Sequence, residues 1–126
     1  MTLDRATLVG FVGSADLERA HAFYGGALGL PLVESNGFAN VYDAGGTPLR
    51  VTLVREPVAA GYTVLGWVVA DIAAAIAALE RHGIGFERYP DLGQDERGVW
   101  AAPGGSLIAW FRDPDGNTLS LQQPPG

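Results

Sequence analysis

Side chains that usually carry catalysis are scarce in this sequence. It has no cysteine and only two histidines, His21 and His82, which lie within or at the end of predicted helices. No serine lies in a nucleophile-elbow pattern, and the glycine-rich stretches AGGTPL and APGGSL are not followed by a lysine-bearing helix, so they do not predict a phosphate loop. The carboxylates Glu34, Asp43, Glu56 and Glu87 lie at predicted strand ends or turns, where solvation explains them, and no partner for a general base is identifiable. The sequence therefore offers poor candidates for a catalytic constellation.

Composition narrows the classes of partner. The chain has 126 residues and a net charge of −6, and all of its 8 basic residues are arginines with no basic run, which disfavours nucleic-acid and anionic-membrane binding. Apolar residues make up 48%, including 3 Trp, 5 Phe and 4 Tyr, which suits one domain with an aromatic-lined cavity. No apolar stretch approaches a membrane span, and the N-terminus does not resemble a signal peptide, so we expect a cytoplasmic protein.

The elements that must position any site occur twice. VGFVGSADLERAHAFYGGALGLPLVE (9–34) and VLGWVVADIAAAIAALERHGIGFERY (64–89) each contain an apolar run, an Asp, an amphipathic stretch and a return to β-like residues. Asp16 and Asp71 are predicted N-caps, and Gly25-Gly26 and Gly83 are predicted helix stops. Each half therefore predicts a β-α-β-β-β module, the first over about residues 1–56 and the second over about 63–126, joined by a linker at about 57–62.

Two predicted hairpins set the strand register. VYDAGGTPLRV (41–51) aligns with FRDPDGNTLSL (111–121), and DPDGN suits a three-residue loop with Gly116 in the left-handed conformation. That loop pairs Trp110 with Ser120, and the same construction predicts a pairing of Asn40 with Arg50. The polar loop at 90–98 is interpreted as a solvated connection, with a mobile lid as the alternative.

DLERAHAFYGGALGL together with WFRDPDGNTLSL resembles the vicinal oxygen chelate superfamily, also called glyoxalase/bleomycin resistance/extradiol dioxygenase. The resemblance covers essentially the whole chain. It implies an α+β fold in which two tandem βαβββ modules form a curled mixed sheet around a cleft. In metal-dependent members, His, Gln or Glu side chains on the cleft strands hold a divalent metal that binds two neighbouring oxygens of the substrate.

Transferred onto this sequence, the metal-ligand positions of the family read Val9, Arg50, Val64 and Ser120. None of these is a good metal ligand, and a guanidinium repels a cation. The resemblance therefore implies that the shape is kept and the metal site is lost, and the expectation is a protein without a metal or other cofactor. The two histidines are interpreted as surface or packing residues.

Strand alternation then indicates which residues face the expected cleft. The predicted ligand-binding residues are Val9, Phe11, Phe38, Asn40, Arg50, Thr52, Val64, Gly66, Trp100, Trp110, Ser120 and Gln122. Aromatic faces can stack on planar rings, and Arg50 can bind a carboxylate, a phenolate or a carbonyl. For each aromatic residue the alternative is a filled core, and for Arg50 it is a solvated strand.

These features predict a metal-independent protein that binds, and sequesters, an aromatic or planar small molecule such as an antibiotic, and that forms a homodimer as the resemblance implies. The alternative is a glyoxalase-like lyase or isomerase that acts without metal or with an unrecognised metal site. A third interpretation is an interaction domain with a filled cavity. Quenching of Trp110 fluorescence by an aromatic ligand would favour the first, and turnover would favour the second.

Overall fold

A computed structural model of the chain describes residues 2–126; Met1, the first residue of the predicted first module, lies outside the described residues. The chain divides into two compact units, one ending at Val58 and the other spanning Ala59–Gly126. Each unit is a β-α-β-β-β arrangement with one mixed four-stranded sheet. The predicted α+β class with tandem βαβββ modules is confirmed. Within residues 2–126, the helices are too short or too polar to cross a membrane.

The first unit consists of β1 (Gly10–Ser14), α1 (Leu17–His21), a π-helical turn (Ala22–Ala27), β2 (Leu32–Ser35), β3 (Ala39–Ala44) and β4 (Thr47–Leu53), with sheet order β1-β4-β3-β2. The carboxylate of Asp16 accepts hydrogen bonds from the backbone N–H groups of Glu18 and Arg19, which confirms the predicted N-cap. The helical segment continues through the predicted stop at Gly25-Gly26. Its apolar side is buried against the sheet at Ala20, Phe23 and Tyr24.

The second unit consists of β5 (Thr63–Val68), α2 (Ile72–Glu80), β6 (Trp100–Ala101), β7 (Leu107–Arg112) and β8 (Thr118–Gln123), with sheet order β5-β8-β7-β6. Asp71 caps α2 by accepting from the Ala74 N–H, and the side-chain oxygen of Gln123 accepts from the Ile72 N–H. Ile72 and Ile76 bury one side of the helix, as the i, i+4 spacing predicts.

The two hairpins differ in register. In the second unit Trp110 lies opposite Ser120, as predicted, and the loop closes with Asp113 N–H donating to the Asn117 carbonyl. In the first unit Ala44 pairs with Thr47, so the loop contains only Gly45 and Gly46. Both glycines have positive φ, 63° and 96°, as a tight two-residue hairpin turn requires. The predicted three-residue loop is therefore wrong for the first hairpin.

The loop between α2 and β6 is ordered by one side chain. The Gln94 amide donates to the carbonyls of Glu87 and Gly98, at 2.9 and 2.7 Å, and its oxygen accepts from the Tyr89 N–H at 2.7 Å. Every hydrogen-bonding side of the amide except one lone pair is thus used within the loop. The loop is therefore ordered by hydrogen bonds between the Gln94 side chain and its own backbone.

Candidate ligand-binding surfaces

Each sheet has one face covered by its helix and one face without a helix, which we call the helix-free face of that unit. The sets follow from strand alternation, because the residues between the helix-free positions are buried in β1, β3, β4 and β8 and half-buried in β5. In the first unit the helix-free set is Phe11, Gly13, Val41, Arg50 and Thr52, and in the second unit it is Gly66, Val68, Trp110, Ser120 and Gln122. These are the surfaces on which most of the predicted ligand-binding residues lie.

An aromatic cluster occupies the helix-free face of the second unit. The Trp110 ring has its centroid 6.0 Å from that of Trp100, with the planes inclined by 31°, and Tyr89 meets Trp110 edge-on at 5.4 Å. All three side chains are only partly buried. Because Trp100 lies opposite Ile108 across the strand pair, it shares the face of Trp110. A partly exposed indole platform of this kind can stack a planar ring.

Beside that cluster the sheet has no side chain at Gly66. Ser120 lies between Trp110 on β7 and Gly66 on β5. A Cβ atom at Gly66 would stand 2.8 Å from the Ser120 hydroxyl oxygen, so the Ser120 side chain can take this position only because residue 66 has no side chain. The Ser120 hydroxyl therefore lies beside Gly66 on β5, with Trp110 opposite Ser120 on β7. Of the remaining predicted residues, Gln122 and Val64 are exposed, and Val64 lies at a register shift in β5.

Arg50 occupies the centre of the helix-free face of the first unit. It lies on β4 between Phe11 of β1 and Val41 of β3. The arginine is partly buried, whereas Phe11 is 64% exposed. Thr52 follows on the same face, and Val9 precedes β1 with its side chain 38% exposed. The predicted orientation of Arg50 and Phe11 away from the core is therefore what the structure shows, while their binding roles stay a prediction.

Asn40 lies on the opposite side of the sheet from the one predicted. Because the hairpin loop has two residues, Val41 pairs with Arg50 and Asn40 pairs with Val51, so the predicted Asn40–Arg50 pairing is wrong. Asn40 is 4% exposed. Its amide nitrogen donates to the Leu17 carbonyl and to the Tyr42 hydroxyl oxygen. The orientation predicted for Asn40 is thus corrected to the helix side. Phe38 precedes β3 and is 76% exposed.

Asn40 belongs to a polar chain beneath α1 that sequence reasoning missed. The Ser35 hydroxyl donates to the Asn40 side-chain oxygen at 2.8 Å, and Tyr42 lies 3.0 Å from Nδ1 of His21 and stacks on its ring. Asn40 donates to the Tyr42 oxygen, so the phenolic proton can be donated to His21 Nδ1 in the tautomer that carries its proton on Nε2. Burial raises the pKa of Tyr42, and the Asn40 hydrogen bond opposes part of that rise.

A depression of about 270 Å³ lies beside the β3–β4 hairpin, just below the usual size of small-molecule pockets. Its lining is Val33, Val41, Tyr42, Asp43, Gly46 and Pro48. Asp43 is held there by a hydrogen bond from the Gly46 N–H at 2.7 Å. Val41, which pairs with Arg50, forms part of the wall. The depression and the arginine are therefore neighbours within the first unit.

The residues at the family's metal-ligand positions do not fit a metal. Two are valines, one is the Arg50 guanidinium, and the only oxygen donor among them is the Ser120 hydroxyl, which rests against Gly66. Within residues 2–126, no three His, Cys, Asp or Glu side chains are grouped so that they could hold a metal ion.

Comparison with known proteins identifies the family. The model of the glyoxalase/bleomycin resistance protein/dioxygenase superfamily matches residues 3–121. The chain belongs to this superfamily. No curated protein matches the sequence of this superfamily member.

Solved structures agree at the level of fold. A superfamily member from Sphaerobacter thermophilus has a TM-score of 0.74 at 22% identity, covering 96% of this chain and 98% of that one. A lactoylglutathione lyase from Agrobacterium tumefaciens has a TM-score of 0.70 at 21% identity, with 94% and 93% covered. TioX from Micromonospora sp. ML1 has a TM-score of 0.70 at 17% identity, with 94% and 98% covered. These identities support a shared fold and do not transfer an activity.

Proposed function

We propose that this superfamily member binds a planar, aromatic small molecule without a metal and acts by sequestering it. The observation that carries the proposal is the cluster of Trp110, Trp100 and Tyr89 on the helix-free face of the second unit. An apolar surface with a few placed polar groups is the usual composition of a small-molecule site. Ser120 and Gln122 supply the polar groups beside the indole.

The donor chemistry supports the metal-independent part of the proposal. A lyase or dioxygenase of the metal-dependent kind needs nitrogen or carboxylate ligands that converge on one ion. The corresponding positions here carry valine, arginine and serine. Binding by stacking needs none of those ligands, because it rests on the area and orientation of the rings.

The first test separates stacking on Trp110 from binding elsewhere. We would titrate the protein with 2-naphthamide, a neutral planar probe, by isothermal titration calorimetry. Trp110→Ala should weaken binding about tenfold, since stacking on an aromatic side chain contributes roughly 1–3 kcal/mol. Trp67→Phe is the matched control, because Trp67 lies on the helix side and contacts Phe111 with ring centroids 6.5 Å apart. Equal losses in both variants, or no binding to the wild type, would contradict the proposal.

The second test addresses the metal directly. Metal content of the purified protein and calorimetric titration with Zn²⁺, Ni²⁺, Mn²⁺ and Fe²⁺ should show only weak surface association. One stoichiometric, tightly bound ion would contradict the metal-independent part and would direct attention to lyase or dioxygenase assays. Homodimer formation and a cytoplasmic location remain predictions from the sequence, and gel filtration with light scattering tests the first of them.

A further inference from the structure

The position of Arg50 is unusual for a charged side chain. It projects from β4, an inner strand of its sheet, with β1 on one side and β3 on the other. Its cross-strand neighbours on the same face, Phe11 and Val41, are both apolar. Side chains directly opposite one another on a sheet are in contact range, so the Arg50 side chain leaves the sheet between two apolar neighbours.

Arg50 also lacks the partners that other arginines of the chain have. Arg112 forms an ion pair with Glu87 at 3.1 Å, and Arg88 donates to the Asp95 carbonyl at 2.7 Å. Considering residues 2–126, the structure shows no ion pair, hydrogen bond or ring contact for Arg50. A partly buried cation without a partner loses hydration and gains nothing in exchange.

We infer that Arg50 and Phe11 form a binding site for a planar aromatic monocarboxylate on the helix-free face of the first unit. The guanidinium offers two parallel N–H donors that match a carboxylate, and a bound carboxylate replaces the water that Arg50 has lost. The exposed Phe11 ring supplies the apolar area for the planar part of the ligand. This site is additional to the proposed stacking on Trp110, because it lies in the first unit and recognises the negative charge of the ligand through Arg50.

The surrounding charge limits the ligand to a single negative group. Asp43 and Glu34 lie on or beside the same face, with Glu34 opposite Val41. Both carboxylates already accept hydrogen bonds, Asp43 from the Gly46 N–H and Glu34 from the Asn36 side-chain amide at 3.3 Å. Together with the net charge of −6, they repel polyanions such as nucleotides. One carboxylate on an apolar ring fits this field better than a phosphate.

The test compares 2-naphthoate with its neutral isostere 2-naphthamide by calorimetry, on the full chain at low salt. Naphthoate should bind the wild type about 10- to 100-fold more tightly, because a hydrogen bond to a charged group contributes about 1.5–3 kcal/mol. Arg50→Gln should remove that difference, and Arg50→Lys should keep part of it, since lysine retains the charge but not the paired donors. Arg55→Gln is the matched control, an exposed arginine just beyond β4.

Each outcome decides the inference. A naphthoate preference that disappears in Arg50→Gln and persists in Arg55→Gln supports it. Equal affinities for the two probes, or an equal loss in both glutamine variants, overturn it and leave the proposed function to be decided by Trp110→Ala. No binding of either probe at millimolar concentration overturns the inference and the proposed function together. If Arg50→Gln does not fold by circular dichroism, Arg50→Lys decides, and an unchanged naphthoate preference in that variant overturns paired recognition.

Discussion

Gly25→Ala should lower the free energy of unfolding of the wild type and raise that of a variant that lacks the His21 imidazole. A Cβ atom at Gly25 would stand 2.5 Å from Cε1 and 2.7 Å from Nδ1 of His21. To avoid this clash the imidazole must leave its present position, in which Nδ1 lies 3.0 Å from the Tyr42 hydroxyl and the two ring centroids are 5.8 Å apart. Gly25→Ala therefore forces the ring off Tyr42 and leaves a buried hydroxyl proton without its acceptor.

The magnitude follows from two opposing terms. Loss of the acceptor for a buried hydroxyl costs about 1–3 kcal/mol. Replacing a helical glycine by alanine stabilises the folded state by about 1 kcal/mol. Gly25→Ala in the wild type should therefore lower the free energy of unfolding by about 1 kcal/mol. In the His21→Ala background the clash is gone, and the same substitution should raise it by about 1 kcal/mol.

The assay is equilibrium urea unfolding of the wild type, both single variants and the double variant, followed by circular dichroism and by tryptophan fluorescence. Coincident transitions are needed before free energies are compared, since two units can unfold separately. Gly26→Ala is the matched control, because a Cβ atom there meets nothing within 4 Å. The reasoning is refuted if Gly25→Ala stabilises the wild type as much as it stabilises the His21→Ala variant.

Three further predictions test the network and the loop. Asn40→Ala should lower the free energy of unfolding, measured in urea, by about 1–3 kcal/mol, because the Leu17 carbonyl and the Tyr42 hydroxyl lose a buried hydrogen-bond donor. A change within about 0.5 kcal/mol, as is usual for surface residues, would contradict this. Because burial raises the pKa of Tyr42 above 10.0, the folded state retains this proton longer than the unfolded chain, and stability should fall as pH rises above that value. Tyr42→Phe should flatten the fall, and equal slopes would contradict this. Gln94→Ala should speed tryptic cleavage at Arg97 about tenfold, because the loop loses the three hydrogen bonds of the Gln94 amide. The control is Gln122→Ala, at an exposed position, and equal cleavage rates in the two variants would show that the amide does not order the loop.

Much of the fold follows from local signals, and the helix starts show why. Asp16 and Asp71 cap as predicted, since an N-cap needs only a carboxylate near the first free N–H groups. The end of the first helical segment was not predictable in the same way. Two glycines indicated a stop, yet the chain continues as a π-helical turn to Ala27. Burial of Phe23 and Tyr24 against the sheet favours continuing the helical segment, and this tertiary effect outweighs the low helix propensity of the two glycines.

The candidate site depends on register, which the sequence determines less firmly. DPDGN contains a proline and one glycine at a left-handed position, so its loop length is well defined and Trp110 pairs with Ser120 as predicted. DAGGT contains two adjacent glycines, and both take positive φ in a two-residue turn. One residue fewer in the loop moves every partner of β3, and Asn40 changes face as a result. The alternation within β4 is unaffected, which is why the orientation of Arg50 was predicted correctly.

The two units have diverged at positions that the repeat makes equivalent. Phe11 pairs with Arg50 in the first sheet, and at the same places in the second sheet Gly66 pairs with Ser120. The first face thus carries a cation beside an exposed ring, and the second carries the Ser120 hydroxyl opposite the Trp110 indole. The alternating apolar residues and the Asp N-caps recur in both units and preserve the backbone geometry. The side chains on the helix-free faces are not needed for that geometry, so they differ between the units. Ligand chemistry must therefore be argued for each face separately, and charge selectivity is expected from the face that holds Arg50.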